Sequence, residues 1–456
     1  MKTVSVADLA NITGAASSGN TKGFFTGVSI DSRTIKPGDC FFAVPGEKFD
    51  GHHYLQDAFS KGAACAVVSE DIDHLAGRTI LRVDDTIRAL GDFAAEYRRR
   101  MNFRVIAITG SVGKTTTRQI IHHVLSRHLP VFQAPASFNN NIGVPLTLLG
   151  ARPQDKIVVA ELGSNHPGEI AGLTRIALPD IALVTNVHPS HLAGFGNLQT
   201  IVKEKLSISE GLVRGGVLII NTDCDSLVNF CRAKRLDYVG FGADVDADFR
   251  AVDIVHNGSG STFSIAGVPV HLPLPGPGNV ENALAAWAVC SHFELTAHDF
   301  ARAVESIPPV SMRAELLQIG TLTVLADCYN ANPASMQNAL EILSNIDPAG
   351  KRRLVFVCGD MAELGQQSRY FHAQLGALAA RTKVQLLLAV GEYARVTAGA
   401  AEEAAEDRLQ TVCFDDAASV CNNLDKFVKQ SDIILVKGSR VTGLETVVER
   451  LRELFS

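Results

Sequence analysis

The residues best suited to chemistry stand in one run, Ile106 to Thr117, reading I-A-I-T-G-S-V-G-K-T-T-T. An apolar, β-prone segment enters it from Arg104, the chain bends at Gly110 and again at Gly113, and Lys114 with three threonines opens an amphipathic stretch. Strand, glycine-rich turn and helix start aim backbone N–H groups and the positive helix end at phosphate. Gly110, Ser111, Val112, Gly113, Lys114, Thr115 and Thr116 would then cradle a nucleotide's phosphates. Lys114 would reach the outer phosphates, and the Thr115 hydroxyl would hold Mg2+. A standard P-loop has four residues between its glycines, whereas only Ser111 and Val112 separate these two. An ordinary βα turn is the bland alternative; the position directly after a strand favours the phosphate loop.

Such a loop needs a sheet behind it. Besides the strand from Arg104, buried-strand runs occur at 156–162, 181–187 and 216–221, with helical stretches between them. That alternation predicts a mostly parallel, doubly wound sheet, in which ligands bind beyond the carboxyl ends of the strands. The rule selects Glu161 after one run, then Asn186, His188 and His191 after the next. A carboxylate beside a triphosphate is a natural Mg2+ ligand. His191 is a weaker candidate, because Mg2+ prefers oxygen. Behind the loop, Ile120, Ile121, Val124 and Leu125 have the spacing of one buried helix face, and His122, His123 and His128 read as surface residues. A Pro/Gly-rich turn at 272–279 runs into V-E-N-A-L-A-A-W-A. Asn279 is predicted to cap that helix, with Asn282 on nearly the same face. Amides there could read an adenine edge, each offering a donor and an acceptor.

Similar patterns flank this central region. Short β-like runs at 40–44, 63–68 and 79–83 predict a small α/β domain over residues 1–84. Its polar strings Asp31-Ser32-Arg33 and Phe49-Asp50-Gly51-His52-His53 read as turns or solvated loops. Residues 86–100 read as a helix with a basic end, which the macrodipole favours. The central domain is assigned to 85–310, and 307–311, I-P-P-V-S, is the candidate hinge. A third α/β pattern fills 311–456, with strands expected at 321–328, 353–358, 384–390 and 432–436. The polar strings D-C-Y-N-A-N-P, G-D-M-A-E-L-G and K-G-S-R follow three of these strands, so one face of this domain is expected to close on a ligand.

The bulk properties restrict function. The 456 residues are 46% hydrophobic and 20% charged, the profile of a globular chain too long for one core. A net charge of −6 opposes a general nucleic-acid binder, which needs a basic surplus. The first residues carry no apolar signal-peptide core, and no run approaches a spanning helix, so no membrane insertion is expected. The nine cysteines include no C-x-x-C and read as small core residues in a reducing, cytoplasmic setting.

Taken together, the strings resemble the Mur ligases, ATP-dependent amide-forming enzymes of bacterial peptidoglycan synthesis. The likeness covers essentially the whole chain. It runs from D-S-R and F-D-G-H through G-S-V-G-K-T-T, N-N-x-I-G-V-P-L-T-L-L at 139–149 and A-E-L-G-S-N-H-P-G-E-I at 160–170. It continues through T-N-V-x-P-S-H-L at 185–192 and Y-N-A-N-P-A-S-M at 329–336 to G-D-M-A-E-L-G and V-K-G-S-R. The shortened phosphate loop is the family's own form. The last three strings point to the branch that joins D-Ala-D-Ala to UDP-MurNAc-tripeptide, and the D-N-P-R string of a neighbouring branch is absent. The resemblance implies three domains: an N-terminal UDP-sugar domain, a central ATPase domain and a Rossmann-like C-terminal domain. It places Ser32 and Arg33 at the uridine end and Asn139 and Asn140 along the substrate channel. Thr115 and Glu161 would hold one Mg2+ and His191 a second. Lys205 matches a lysine that is carbamylated in several members, which would turn an ammonium into an anionic oxygen ligand. Asn279 and Asn282 match adenine-side asparagines, Arg313 a phosphate-binding arginine, and Asp327 with Tyr329 would contact the nucleoside. His372 or a carboxylate near it could accept the amine's proton. A monomer is expected. The chain departs from the family pattern at Asn141, usually acidic, at Gly278, usually histidine, and at Leu206, usually glycine. Folylpolyglutamate synthase shares the central chemistry but accounts for neither D-S-R, F-D-G-H nor Y-N-A-N-P. A GTPase-like switch would need a standard loop and N-K-x-D. A catalytically silent homologue would not need Lys114, Thr115, Glu161 and His191 all kept.

Overall fold

Among the described residues, runs of β-branched and aliphatic residues build three large sheets walled by helices, and Val4–Ser5 pairs with Phe24–Phe25 as a separate two-stranded ribbon. The computed structural model describes residues 1–456 except 47, 73, 74, 76, 136, 244, 245, 406 and 407. In the central domain the strands Val131–Gln133, Ile157–Glu161, Arg104–Thr109, Ile181–Val184, Val217–Asn221 and Val239–Gly242 lie in that spatial order, all parallel. Phe249–Asn257 extends the sheet in parallel, and Gly260–Ile265 and Val268–Leu272 finish it as an antiparallel meander. Register fixes the site. Glu161 pairs with Ile108 and Val184 with Thr109, so the loops that follow three neighbouring strands open at one end of the sheet.

The N-terminal sheet runs Ala16–Ser18, Ile80–Arg82, Cys65–Val68, Asp39–Phe42, Gly27–Ser29, antiparallel only at its first pairing. The helix Thr86–Arg100, capped by Asp85, joins it to the central domain, where Arg98 pairs with Asp180 at 2.7 Å. Asp180 also accepts from the Val105 N–H at 2.7 Å, so this ion pair pins the first strand of the central sheet. The C-terminal sheet runs Glu315–Ile319, Leu322–Ala326, Ile433–Lys437, Leu354–Gly359, Val384–Val390, Gln410–Phe414 and is parallel beyond its first, antiparallel pair.

The C-terminal domain meets the central one through the helix Pro333–Ile346, started by proline and an Asn332–Ser335 capping box. Asn338, Ile342 and Ile346, four residues apart, form one stripe on that helix. The stripe lies against glycines. A Cβ on Gly276 would fall 2.4 Å from Cγ1 of Ile342, one on Gly258 2.8 Å from Cα of Ile346, and one on Gly278 3.0 Å from Oδ1 of Asn338. Only residues without side chains allow this approach, and Gly276, at φ +90°, also has a backbone that glycine favours. Gly278 thus leaves space that Asn338 occupies. Among the described residues no helix is long and apolar enough to cross a membrane.

Candidate active site

The loop Gly110–Gly113 is shaped by hydrogen bonds to the end of the neighbouring strand. The Ser111 N–H donates to the Asn186 carbonyl at 3.1 Å and the Val112 N–H to Asn186 Oδ1 at 2.9 Å. Thr185 Oγ1 donates to the Val112 carbonyl at 2.6 Å, and Ser111 Oγ to the His188 carbonyl at 3.0 Å. The next strand's end therefore sets the loop's shape. Gly110 and Gly113 have φ of +144° and +87°, and the helix Lys114–Leu125 starts at Gly113 with no side-chain cap. Its first N–H groups are left for an anion. Lys114 folds back, donating to the Gly110 carbonyl at 2.7 Å.

Thr115 and Glu161 are brought together as expected: the Thr115 hydroxyl donates to Glu161 Oε2 at 2.8 Å, and Asn139 Nδ2 to Oε1 at 2.9 Å. Burial alone would raise the Glu161 carboxyl, but the charges of Lys114 and Arg313 outweigh it and hold the group below its usual value. An ionised carboxylate beside a hydroxyl is an oxygen set that fits Mg2+. Burial lowers Lys114, with Glu161 opposing.

The C-terminal domain supplies the opposite wall of a cavity of about 920 Å³. Arg313 lies over the Tyr329 ring at 4.2 Å, and the Tyr329 hydroxyl reaches Ser137 Oγ at 2.5 Å. Asp327 lines the cavity with its carboxylate already engaged, by Lys437 Nζ at 2.6 Å and the Ala314 N–H at 3.2 Å. His191, at φ +50°, bonds through Nδ1 to Glu363 of the G-D-M-A-E-L-G string, a contact that bridges the two domains.

Several expected residues behave differently. Asn279 does not cap its helix, Pro277–Ser291; Gly276 is the cap, and Asn279 donates to the Pro275 carbonyl at 2.8 Å. Asn282 Nδ2 donates to Asn279 Oδ1 at 3.2 Å and its Oδ1 accepts from Thr117 at 3.1 Å, so both amides are engaged inside the protein. Lys205 is buried behind the cavity, its Nζ on Ser164 Oγ at 2.8 Å and 5.7 Å from the Phe195 ring centre. Burial, with the charge of Lys114, lowers it to about 7. Asn140 lines the cavity, as Asn139 does, and Ser32 and Arg33 lie outside it. The Ser32 carbonyl accepts from Lys61, and Arg33 pairs with Asp31 at 2.7 Å. His372 is not placed to take a proton: it is 1% exposed, Nδ1 bonds the Ser368 carbonyl at 2.7 Å, and Nε2 accepts from the Met361 N–H at 3.0 Å. His122 and His123 are half-buried, and His123 bonds the Ala303 carbonyl at 3.0 Å; only His128 is exposed. His52 is a buried turn residue, bonded to Asp50 at 2.6 Å and to the Ser69 N–H at 2.9 Å. Sequence reasoning did not single out Lys437, Glu363 or Asn338. The first two sit in noticed strings, while Asn338 lies mid-helix with no local signal.

Residues 24–98 match the Mur ligase family catalytic domain, 108–290 the Mur ligase middle domain, and 312–440 the Mur ligase glutamate ligase domain. The chain is 33% identical over 434 residues to UDP-N-acetylmuramoyl-tripeptide–D-alanyl-D-alanine ligase of Bacillus subtilis (strain 168), covering 94% of this chain and 93% of that one. A crystal structure of MurF from Acinetobacter baumannii superposes with a TM-score of 0.90 at 31% identity, over 99% of both chains. The MurF ligase of Thermotoga maritima in complex with ADP superposes with a TM-score of 0.80 at 25% identity, over 94% of this chain and 97% of that one. With family models matching all three of its domains and a relative 33% identical over 94% of its length, the chain belongs to the Mur ligase family.

Proposed function

We propose that this protein joins D-alanyl-D-alanine to the terminal carboxylate of UDP-MurNAc-tripeptide, converting ATP to ADP and phosphate, in peptidoglycan precursor synthesis. The observation that carries the reading is the pairing of Thr115 and Glu161 beside an uncapped phosphate loop, faced by Arg313 from the C-terminal domain. A carboxylate resists an amine because its charge repels attack and oxide is a poor leaving group. Transfer of the γ-phosphoryl group to that carboxylate gives an acyl phosphate. The dipeptide amine then attacks the acyl carbon, and inorganic phosphate leaves. The protein's part is positioning and neutralisation of charge.

Lys114 and the loop amides bind the outer phosphates, and Arg313, set by its stacking on Tyr329, approaches from the other side. Asn139 and Asn140 line the path of the tripeptide, and Ser32 and Arg33 serve the uridine end, away from the chemistry. Asn279 and Asn282 shape the nucleoside wall. Asp327 fixes Lys437, and Tyr329 braces Arg313 at the nucleotide's edge. Thr115 and Glu161 would hold one Mg2+, with His191 at a second and Lys205 contributing once carbamylated; bound Mg2+ supplies charge neutralisation on the phosphates. The dipeptide's α-amine, with an ordinary pKa near ~8, sheds its proton in the open cleft rather than to His372. The protein acts as a monomer in the cytoplasm. Folylpolyglutamate synthase activity remains the rival chemistry. Phosphate release from ATP is measured with UDP-MurNAc-tripeptide and D-Ala-D-Ala each omitted in turn. Dependence on both is expected, and dependence on folate and glutamate instead would overturn the reading.

A further inference from the structure

The cavity wall leading away from the phosphate loop is a continuous chain of contacts, and its outermost member holds an unengaged donor. A Cβ on Gly113 would sit 2.1 Å from Asn282 Oδ1, so the loop rests directly on that side chain. Asn282 bonds Asn279 at 3.2 Å, and the adjacent Gly278 N–H donates to Asn338 Oδ1 at 3.1 Å. On the reading proposed above, a nucleotide with its phosphates on the loop would lay its ribose and base along this wall. Asn279 and Asn282 line the cavity on this wall, held in place from within the central domain. Both are buried, and each oxygen and nitrogen already bonds to Thr117, Pro275 or the other amide.

Asn338 is different. It comes from the C-terminal domain, lines the cavity and is half-buried. Its oxygen is committed to the Gly278 N–H, which orients the amide, and among the described residues its Nδ2 has no hydrogen-bond partner. A lone amide donor separates adenine from guanine at one ring atom: N1 accepts in adenine and carries hydrogen in guanine, whereas N7 and N3 accept in both. We propose that Asn338 is a specificity-determining residue of the nucleotide site, its Nδ2 donating to N1 of adenine while Gly278 holds its oxygen. The recognising side chain belongs to the C-terminal domain, so a correct base would also favour the contact between that domain and the central one.

This inference rests on the ATP-dependent ligation proposed above, and one set of assays separates the two. Ligation is measured on the full chain with ATP or GTP as phosphoryl donor, for the wild type, Asn338→Ala, Asn338→Asp and Gly278→Ala. Asn338→Asp keeps the oxygen for Gly278 and loses the donor; Gly278→Ala places a methyl where Asn338 now sits. The expected result is a roughly tenfold rise in the KM for ATP in all three variants, with the effect on KM rather than kcat and little change in the KM for GTP. The ATP-over-GTP preference then falls about tenfold. Calorimetric binding of ADP and GDP gives the same ratio without turnover. A role confined to domain packing would lower kcat with both nucleotides alike and keep the wild-type preference, and that result overturns the proposal. A wild type without ATP-dependent ligation removes the underlying reading instead.

Discussion

Lys205 offers the most exacting test of how burial changes chemistry. Its Nζ is enclosed by Ser164 and the Phe195 ring, and the side chain is 1% exposed. An ammonium there loses its hydration, and Lys114 repels it, so the group falls from 10.5 to about 7. That displacement corresponds to a penalty of roughly 5 kcal/mol on the charged form. At neutral pH a substantial share of Lys205 is therefore the free amine, against about 0.1% at pH 7.5 for an exposed lysine. The free amine adds to carbon dioxide, forming an N–C bond and releasing one proton, to leave a carbamate anion. The unmodified protein should also gain stability as pH rises from about 7 towards the ordinary lysine value, because the unfolded chain binds the proton more tightly. The assay is carbon-13 NMR of protein in labelled bicarbonate, with Lys205→Met as control, alongside ligation after carbon dioxide is stripped from the buffer. A Lys205-dependent carbamate signal and a fall in turnover that bicarbonate restores are expected. An unlabelled lysine with turnover unchanged on stripping would refute the argument.

Lys114→Ala should lose at least ~100-fold in kcat, because charge stabilisation of the transferred phosphoryl group goes, while calorimetric binding of UDP-MurNAc-tripeptide survives. Glu161→Gln keeps the size of a side chain bonded to Thr115 and Asn139 but removes its charge, so the Mg2+ concentration for half-maximal turnover should rise tenfold or more in a magnesium titration. Gly113→Ala meets both a φ of +87° and a Cβ placed 2.1 Å from Asn282 Oδ1; urea unfolding should show about 2–4 kcal/mol of lost stability. Burial lowers His372, so its contribution to stability is present above pH ~6.5 and declines as pH falls through its folded value. Thermal unfolding between pH 7.5 and 5.5 should therefore show a steeper loss in the wild type than in His372→Asn.

The sequence exposed the parts of this molecule whose signal is local. Strands such as Arg104–Thr109 and Ile181–Val184 are buried on both faces and read as continuous apolar runs, and polar residues at their ends gave the site. The meander from Phe249 was invisible because most of that strand faces solvent, which removes the apolar run. Edge strands Val131–Gln133 and Gln410–Phe414 escaped for the same reason. Within the site, Thr115 and Glu161 were legible from their place after parallel strands. The engagement of Asn279 and Asn282 was not, since it depends on Thr117 and Pro275 meeting them in three dimensions. The His372 contacts and the seat of Asn338 on Gly278 are tertiary in the same sense. A helix face reports which residues are buried, not what they meet.

The central claim is that phosphate passes through the tripeptide's own carboxylate. It is tested most directly by preparing UDP-MurNAc-tripeptide with oxygen-18 in that terminal carboxylate and analysing the released phosphate by mass spectrometry. An acyl phosphate requires one carboxylate oxygen to leave with phosphorus, so each phosphate formed in a ligation turnover should carry one labelled oxygen. Unlabelled phosphate released alongside normal amide product would contradict the account.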